Sequence, residues 1–141
     1  MDAATMARLH AASFTRGWSE AEIETLLAKP TIKCVTNEHG FALVQVIPPE
    51  AELLTIVIDP AHRGQGHGHT ILGQTLAAAH NAGAATLMLD VDSTNIPALA
   101  LYRRLDFTQT GQRRGYYRHA DGTQSDAVLM ARPTTTPNTA R

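Results

Sequence analysis

Three glycines at alternate positions, Gly64, Gly66 and Gly68, separate an apolar run from a helix-like segment. Glycine permits positive φ angles, so such a loop can turn its backbone N–H groups toward one concavity. The start of the following helix adds positive potential, which favours a bound anion. The pattern therefore predicts a phosphate or pyrophosphate site, with a merely flexible turn as the alternative. It matches neither the Gly-Lys-Ser/Thr phosphate loop nor the G-x-G-x-x-G dinucleotide motif.

A second segment, from Leu89 to Phe107, contains the carboxylate of Asp90, the amide of Asn95 and the phenol of Tyr102. It is typical of a buried strand's end, a capped loop and a helix that carries Tyr102 inward. Ligands in open α/β sheets gather at the carboxyl ends of such strands, so this segment predicts the second half of one site. The alternatives are a strand-end cap for Asp90 and a core aromatic for Tyr102.

These segments need a sheet to position them, and the hydrophobic periodicity predicts one. Strands first, then strand–helix–strand–helix, then a hairpin indicate a mixed α/β sheet with helices on both faces. The connection over residues 53–91 predicts a right-handed crossover between parallel strands. We expect one domain over residues 1–132 and a disordered tail over 133–141. The predicted helices are 2–14, 19–29, 70–82 and 96–105, and the predicted strands are 32–36, 41–47, 53–58, 86–91, 107–118 and 124–131.

Length and composition exclude several classes of protein. The 141 residues are 43% hydrophobic and 18% charged, as expected for a globular chain that buries a core. A net charge of −1 gives no global electrostatic case for nucleic acid or an anionic membrane. The single cysteine, Cys34, excludes an internal disulfide and a cysteine-based metal site. With no apolar run long enough to span a bilayer and no signal-peptide pattern, we expect a cytoplasmic protein.

Seven histidines raise the question of a metal, because His62, His67 and His69 lie close together. Ligands on one element must converge on a point, and this spacing is more typical of histidines exposed on a loop. We therefore expect no metal. A basic cluster is either a solvated face or a surface that attracts the phosphates of a ligand or of RNA near a partner. Its members are Arg103, Arg104, Arg113, Arg114 and Arg118.

The two motifs resemble those of one enzyme family. Residues 63–68 resemble the R/Q-x-x-G-x-G/A loop of the GCN5-related N-acetyltransferases (GNAT). Residues 89–107 resemble the L-E-V-x-x-x-N-x-x-A-x-x-L-Y-x-x-x-G-F signature of the ribosomal-protein-alanine N-acetyltransferases, and segments 13–19 and 111–117 agree with it. The resemblance covers nearly the whole chain apart from the tail. It implies the GNAT fold, a mixed and mostly antiparallel sheet with a parallel pair at the coenzyme site.

The resemblance implies acetyl-coenzyme A as cosubstrate. Its pantetheine arm is expected to bond to the backbone of the strand that ends Ile56-Val57-Ile58, and Asn95 and Tyr102 are expected to contact it. The pyrophosphate is expected on the glycine loop. The residues of that loop are Arg63, Gly64, Gln65, Gly66, His67, Gly68 and His69.

The family's catalytic roles carry over to Asp90 as general base and Tyr102 as general acid. An α-amine has a pKa of about 8, so it must lose a proton before it attacks a thioester. The thiolate that departs must then gain a proton. A backbone N–H near Ile58 can polarise the thioester carbonyl. Asp90 is shorter than the family's glutamate, so either water bridges the gap or Glu52 serves as the base. Cys34 is badly placed in the sequence to be a nucleophile.

One further departure is Asp106, which replaces a glycine where we expect a positive φ angle that Asp tolerates. Trp18, Tyr116 and Tyr117 are expected to border the acceptor. The predicted activity is acetylation of a protein N-terminus, with a small-subunit ribosomal protein beginning with Ala as partner. We expect a monomer that binds neither DNA nor membrane. The alternatives are acetylation of a small amine or lysine side chain, and a coenzyme-binding module with little catalysis.

Overall fold

The computed structural model describes residues 1–14 and 17–135. Within them, α-helices lie on both faces of a six-stranded sheet. The helices are α1 (Ala3–Ser13), α2 (Glu20–Leu27), α3 (His67–Asn81) and α4 (Ile96–Arg104). The strands are β1 (Ile32–Asn37), β2 (Gly40–Ile47), β3 (Glu50–Ile58), β4 (Thr86–Asp92), β5 (Thr108–Arg118) and β6 (Gln124–Pro133).

The sheet has the order β1-β2-β3-β4-β6-β5. Strands β3 and β4 are parallel, and every other neighbouring pair is antiparallel. This confirms the predicted mixed sheet with one parallel pair. Two apolar cores cover its faces, one built with α3 and α4 and the other with α1 and α2.

Local signals in the sequence set the helix ends. The Asp2 side chain accepts the N–H of Thr5 at the start of α1. Ser19 and Glu22 form a reciprocal capping box at the start of α2, which satisfies two otherwise unpaired N–H groups. At the end of α4, Asp106 has φ 66°, which confirms the positive φ angle expected there. Within the described residues, no helix is both long and apolar enough to cross a membrane.

Several boundaries differ from the sequence prediction, and three of the differences affect the site or the end of the sheet. Strand β3 begins at Glu50 rather than 53, because it pairs with β2 and β4 from its first residue. Helix α3 begins at His67 rather than 70, so the last part of the predicted loop is its first turn. The ordered chain continues past 132: Pro133 ends β6, and the buried Thr134 donates its N–H to the carbonyl of Ala85. The remainder of the predicted tail, 136–141, lies outside the described residues.

The parallel pair separates soon after it forms. Its register joins Glu50 to Thr86 and ends with Glu52 opposite Met88. A shift in the β2–β3 register bulges β3 at Leu54, just beyond that point. Bulges bend a strand and disturb its pairing, so the rest of β3 diverges from β4. The edge of β3 that faces the gap extends to Ile58, at the start of the glycine loop.

Candidate active site

A groove of about 720 Å³ lies where β3 and β4 separate, on the face of the sheet that α1 and α2 cover. It combines apolar, aromatic and acidic side chains from distant parts of the chain. The carboxylates of Glu52 and Asp90 give it negative charge, and the described residues that line it include neither Lys nor Arg. The groove therefore suits a cationic or amine-bearing ligand. Its lining residues are Trp18, Leu26, Gln45, Glu52, Leu53, Leu54, Asp90, Tyr116 and Tyr117.

Asp90 and Glu52 reach the groove because of strand alternation. In β4 the neighbours of Asp90, Leu89 and Val91, point into the core beside α3 and α4, so Asp90 points the other way. In β3, Glu52 is likewise flanked by Ala51 and Leu53 of that core. Both carboxylates are exposed and line the groove. The structure thus brings together the two residues that the sequence offered as alternative bases.

Tyr102 lies on the other side of the sheet. It is 6% exposed within the core beside α3 and α4, and its ring packs edge-on against Phe107 at 5.7 Å. Burial, and then the electrostatic influence of Tyr117, raise the pKa of Tyr102 to about 12. It therefore carries its proton at neutral pH, as a general acid must. It does not line the groove, so any contact with a ligand there must pass through the gap between β3 and β4.

The two adjacent tyrosines of β5 form the second wall of the groove. The β5–β6 register shifts between Arg113 and Tyr117, and Gly115 within that shift has φ 60°. This bulge turns Tyr116 and Tyr117 toward the groove, while the guanidinium of Arg113 lies 5.4 Å above the ring of Tyr116. Burial, followed by the charge of Asp90, raises the pKa of Tyr117 to about 12.

Hydrogen bonds join the hairpin of β5 and β6 to the end of β4. Ser125 Oγ donates to Asp92 Oδ1 at 2.7 Å, and His119 Nε2 lies 2.8 Å from the same hydroxyl. Burial acts to raise the pKa of Asp92, but hydrogen bonds from Thr94 and Ser125 outweigh it and hold that pKa below its usual value. The Gly115 N–H donates to Asp126 Oδ1 at 2.9 Å, which holds the bulge itself. The tyrosine wall therefore has a fixed place relative to Asp90.

The glycine loop is open on one face. Gly64 and Gly66 have φ angles of 78° and 85°, and a Cβ built on either meets nothing within 4 Å in the described chain. Gly66 is the N-cap of α3 and, in this part of the structure, no side chain caps the helix. The first N–H groups of α3 thus remain available to an anion. Gly68 serves differently: a Cβ there would lie 3.2 Å from Leu101 of α4, so this glycine allows the two helices to approach.

The remaining predicted coenzyme residues lie near this loop or at the end of β4. Arg63 reaches back and donates to Ser13 Oγ at 2.7 Å, and Gln65 lies 3.2 Å from His67 Nε2. His69 is exposed in the first turn of α3. The side chain of Asn95 accepts a hydrogen bond from the N–H of Ala98 and so caps the start of α4.

Three histidines near the loop have their rings in contact. His39 stacks on His62 at 3.9 Å and lies 4.4 Å from the ring of His67. Stacked rings do not direct their nitrogens at one point, as a metal ion requires. Among the residues that the structure describes, no group of three His, Cys, Asp or Glu is arranged to hold a metal.

Sequence reasoning missed four residues that line the groove: Leu26 of α2, Gln45 of β2, and Leu53 and Leu54 of β3. Gln45 had a signal, because it is the single polar side chain in the run Phe41–Ile47. Leu26, Leu53 and Leu54 had no such signal, since in the sequence each is typical of an ordinary core residue. Cys34 lies in β1, at the far edge of the sheet, consistent with its exclusion as a nucleophile.

The sheet with one separating parallel pair, the glycine loop and the acidic groove together define an acyltransferase fold. The sequence matches the acetyltransferase (GNAT) family model over residues 4–107, and the chain therefore belongs to this family. It is an N-acetyltransferase by class.

The chain is also similar to individual proteins and solved structures. The chain is 35% identical over 120 residues to the ribosomal protein bS18-alanine N-acetyltransferase of Escherichia coli K12, a match that covers 82% of this chain and 80% of that protein. The crystal structure of the ribosomal-protein-S18-alanine N-acetyltransferase from Escherichia coli matches with a TM-score of 0.84 at 30% identity, over 95% of this chain and 88% of that one. NAA60 of Arabidopsis thaliana, solved with acetyl-CoA, shares the fold with a TM-score of 0.81 at 15% identity, over 94% and 93% of the two chains.

Proposed function

We propose that this protein transfers the acetyl group of acetyl-CoA to the N-terminal α-amine of a protein, and that its acceptor is a ribosomal protein beginning with Ala. The observation that carries the proposal is the groove, in which Glu52 and Asp90 face an aromatic wall at the gap between β3 and β4. The carboxylates of Glu52 and Asp90 give the groove negative charge, which attracts the positively charged N-terminus of a protein. The bS18-alanine specificity named for the Escherichia coli relative supports the choice of acceptor.

The described residues fit acetyl-CoA. Gly64 and Gly66 leave an open face beside the uncapped start of α3, where backbone N–H groups suit a pyrophosphate. The edge of β3 from Leu53 to Ile58 faces the gap, where its backbone suits the amides of the pantetheine arm. We assign the pyrophosphate to residues 63–69 and the pantetheine arm to Ile56–Ile58, with Asn95 at the end of β4.

Bound acetyl-CoA supplies a thioester whose carbonyl carbon accepts the amine. Asp90 takes a proton from the α-amine, directly or through water, with Glu52 as the alternative base on the same face. The amine nitrogen then bonds to the carbonyl carbon and the carbon–sulfur bond breaks. Tyr102, which carries its proton at neutral pH, donates it to the departing sulfur. The excess proton on the new amide nitrogen returns through water to the Tyr102 oxygen, and Asp90 releases its own proton to solvent. A backbone N–H near Ile58 polarises the carbonyl, and no covalent bond to the protein forms.

On the acceptor side, Trp18, Tyr116 and Tyr117 are assigned to hold the first residues of the peptide. Aromatic side chains offer apolar area at a low entropic cost, and the hydroxyl groups of the tyrosines can bond to a peptide backbone. A cytoplasmic monomer without a metal is part of the same proposal.

The test is coenzyme A release from acetyl-CoA with a panel of acceptors. The panel holds peptides that begin with Ala, Ser or Met, an N-blocked peptide with an internal lysine, and polyamines. Turnover confined to free N-termini, with Ala preferred, is the expected result. Turnover only of lysine or polyamines overturns the acceptor assignment and leaves the acetyltransferase class intact. Acetyl-CoA binding without turnover of any acceptor indicates a coenzyme-binding module instead.

A further inference from the structure

A buried histidine lies directly behind the acceptor groove. His10 of α1 is 3% exposed, and its ring stacks between those of Phe14 and Trp18. The ring centroids are 4.3 Å apart at an angle of 26° for Phe14, and 4.5 Å apart at 14° for Trp18. His10 does not line the groove, but Trp18 does.

A hydrogen bond fixes the protonation state of this histidine. The backbone N–H of Trp18 donates to His10 Nδ1 at 3.0 Å. Nδ1 can accept that bond only with its lone pair free, so the ring is neutral with its proton on Nε2. A charged imidazolium has N–H groups at both nitrogens and can accept nothing. Protonation of His10 would therefore break the contact that holds Trp18 in place.

We infer that His10 is a positioning residue for acceptor capture: in its neutral form it holds Trp18 as a wall of the groove, and its protonation releases that wall. The inference rests on the proposed function, because Trp18 matters only if the acceptor lies in this groove. His10 acts through Trp18 and has no part in proton transfer to or from the substrate.

The surroundings of His10 keep it neutral at physiological pH. Burial lowers the pKa of His10 below its usual value, and the opposing influence of Glu22 from α2 is smaller. Helix α2 also carries Glu20 and Glu24, both exposed. Strands β2 and β3 pack against α1 among the described residues; β2 has no ionisable side chain and β3 has the exposed Glu50 and Glu52. The exposed Arg63 of the glycine loop reaches the C-terminal end of α1, where it donates to Ser13 Oγ. The ring therefore gains its proton only at a pH below 6.5, the ordinary pKa of histidine.

The first experiment uses the intrinsic fluorescence of Trp18, which is the only tryptophan in the chain. The full-length protein is titrated from pH 8 to pH 5 as wild type, His10→Asn and His10→Phe. Asn places an acceptor oxygen near the position of Nδ1 without titrating, whereas Phe keeps a stacked ring without an acceptor. A change in wild-type emission with its midpoint below pH 6.5, absent from both variants, is expected. Wild-type emission that stays constant over this range overturns the inference.

The second experiment separates positioning from a merely structural role. We expect His10→Phe to raise the KM for the acceptor peptide roughly fivefold to tenfold, as for one lost hydrogen bond, with kcat and the KM for acetyl-CoA nearly unchanged. His10→Asn should rescue most of this loss. The ratio of the wild-type acceptor KM to that of His10→Asn should rise as the pH falls below 6.5, since ionisation of the amine affects both proteins equally. The exposed His80→Asn, on α3, is the control and should match wild type throughout.

The two proposals can fail separately. If the wild-type protein acetylates N-terminal peptides and His10→Phe has an unchanged acceptor KM, only the positioning role of His10 is wrong. If His10→Phe lowers the melting temperature and leaves the acceptor KM unchanged, His10 is structural and the inference falls. If the wild-type protein turns over no N-terminal peptide, the proposed function falls and the inference falls with it.

Discussion

Glu52 and Asp90 face the same groove from neighbouring parallel strands, at the level where those strands part. The register of β3 and β4 ends with Glu52 opposite Met88, and Asp90 is the next residue of β4 on the same face. Two carboxylates are thus available where an amine meets the edge of β3. Their different lengths and strands give them different reach into the gap, which makes the assignment of the base testable.

We expect Asp90→Asn to lower kcat about 100-fold or more, because general base catalysis commonly contributes about 10²-fold to 10⁴-fold. Glu52→Gln should mainly raise the acceptor KM, because it removes negative charge from the groove and leaves the base in place. Steady-state kinetics with a fixed Ala-initiating peptide measures both. Since both side chains are exposed, neither change should alter the melting temperature by more than a few degrees.

Asp90→Glu is the matched control, because it keeps the charge and lengthens the side chain by one methylene. Activity equal to or above that of wild type is expected, because the longer side chain replaces the bridging water or reaches the amine directly. The opposite pattern, in which Glu52→Gln abolishes turnover and Asp90→Asn retains it, identifies Glu52 as the base.

Tyr102→Phe tests the general acid. We expect kcat to fall about 10²-fold with little change in either KM, because the ring still packs against Phe107 and only the proton is lost. Since the pKa of Tyr102 is about 12, its ionisation should not limit kcat below about pH 11. A decrease of kcat near pH 10 that is absent from Tyr102→Phe would contradict the burial and the raised pKa of Tyr102.

The same phenol links stability to pH. Its folded pKa of about 12 lies above the unfolded value of 10.0, so the contribution is complete below pH 10 and is lost as the pH rises toward 12. Two pKa units correspond to roughly 2–3 kcal/mol. Urea unfolding at pH 9, 10 and 11 should therefore show a steeper loss of free energy for wild type than for Tyr102→Phe. Parallel curves would indicate that the hydroxyl is hydrated.

The sequence predicted the parts of the site that depend on local chemistry. The glycine loop and the parallel pair each follow from residue types over a short stretch. The positive φ angle of Asp106 followed from the resemblance, because the family has a glycine at that position. The resemblance to the family motifs also identified Asp90 and Tyr102 as candidate catalytic residues. The structure adds that they lie on opposite faces of the sheet, because Asp90 points away from the core that holds Leu89 and Val91, whereas Tyr102 is buried in that core.

The rest depends on tertiary contacts that no short pattern records. Leu26 of α2 and Leu54 of β3 look like core residues, and only their meeting in the folded chain makes them lining residues of one groove. His10 shows the same limit: its helical spacing suggests a buried position, but the bond from Trp18 joins residues that are eight apart in the chain. His67 was placed in a loop because glycines flank it, whereas α3 begins there without a side-chain cap.

Gly115→Ala tests whether the bulge in β5 positions the tyrosine wall. The φ angle of 60° strains any other residue by about 1–2 kcal/mol, and a Cβ would lie 2.9 Å from Gln124 Oε1. We expect lower stability and a higher acceptor KM, with the acetyl-CoA KM unchanged. Gly122→Ala is the control, because it has φ 86° with no neighbour within 4 Å in the described chain. It should lose similar stability, and an equal rise in its acceptor KM would contradict the role of the bulge.

Gly66→Ala tests the coenzyme loop. A Cβ at this N-cap would project into the open face where the pyrophosphate is assigned, and φ 85° adds strain. We expect the KM for acetyl-CoA to rise about tenfold or more, while the acceptor KM at saturating acetyl-CoA stays within about twofold. Gly73→Ala, within the same helix, is the control. It has no positive φ angle and an open neighbourhood in the part of α3 described, so it should stabilise the helix by up to about 1 kcal/mol and leave both KM values unchanged. If Gly66→Ala destabilises the protein without changing the KM for acetyl-CoA, the open face of the loop is not where the coenzyme binds.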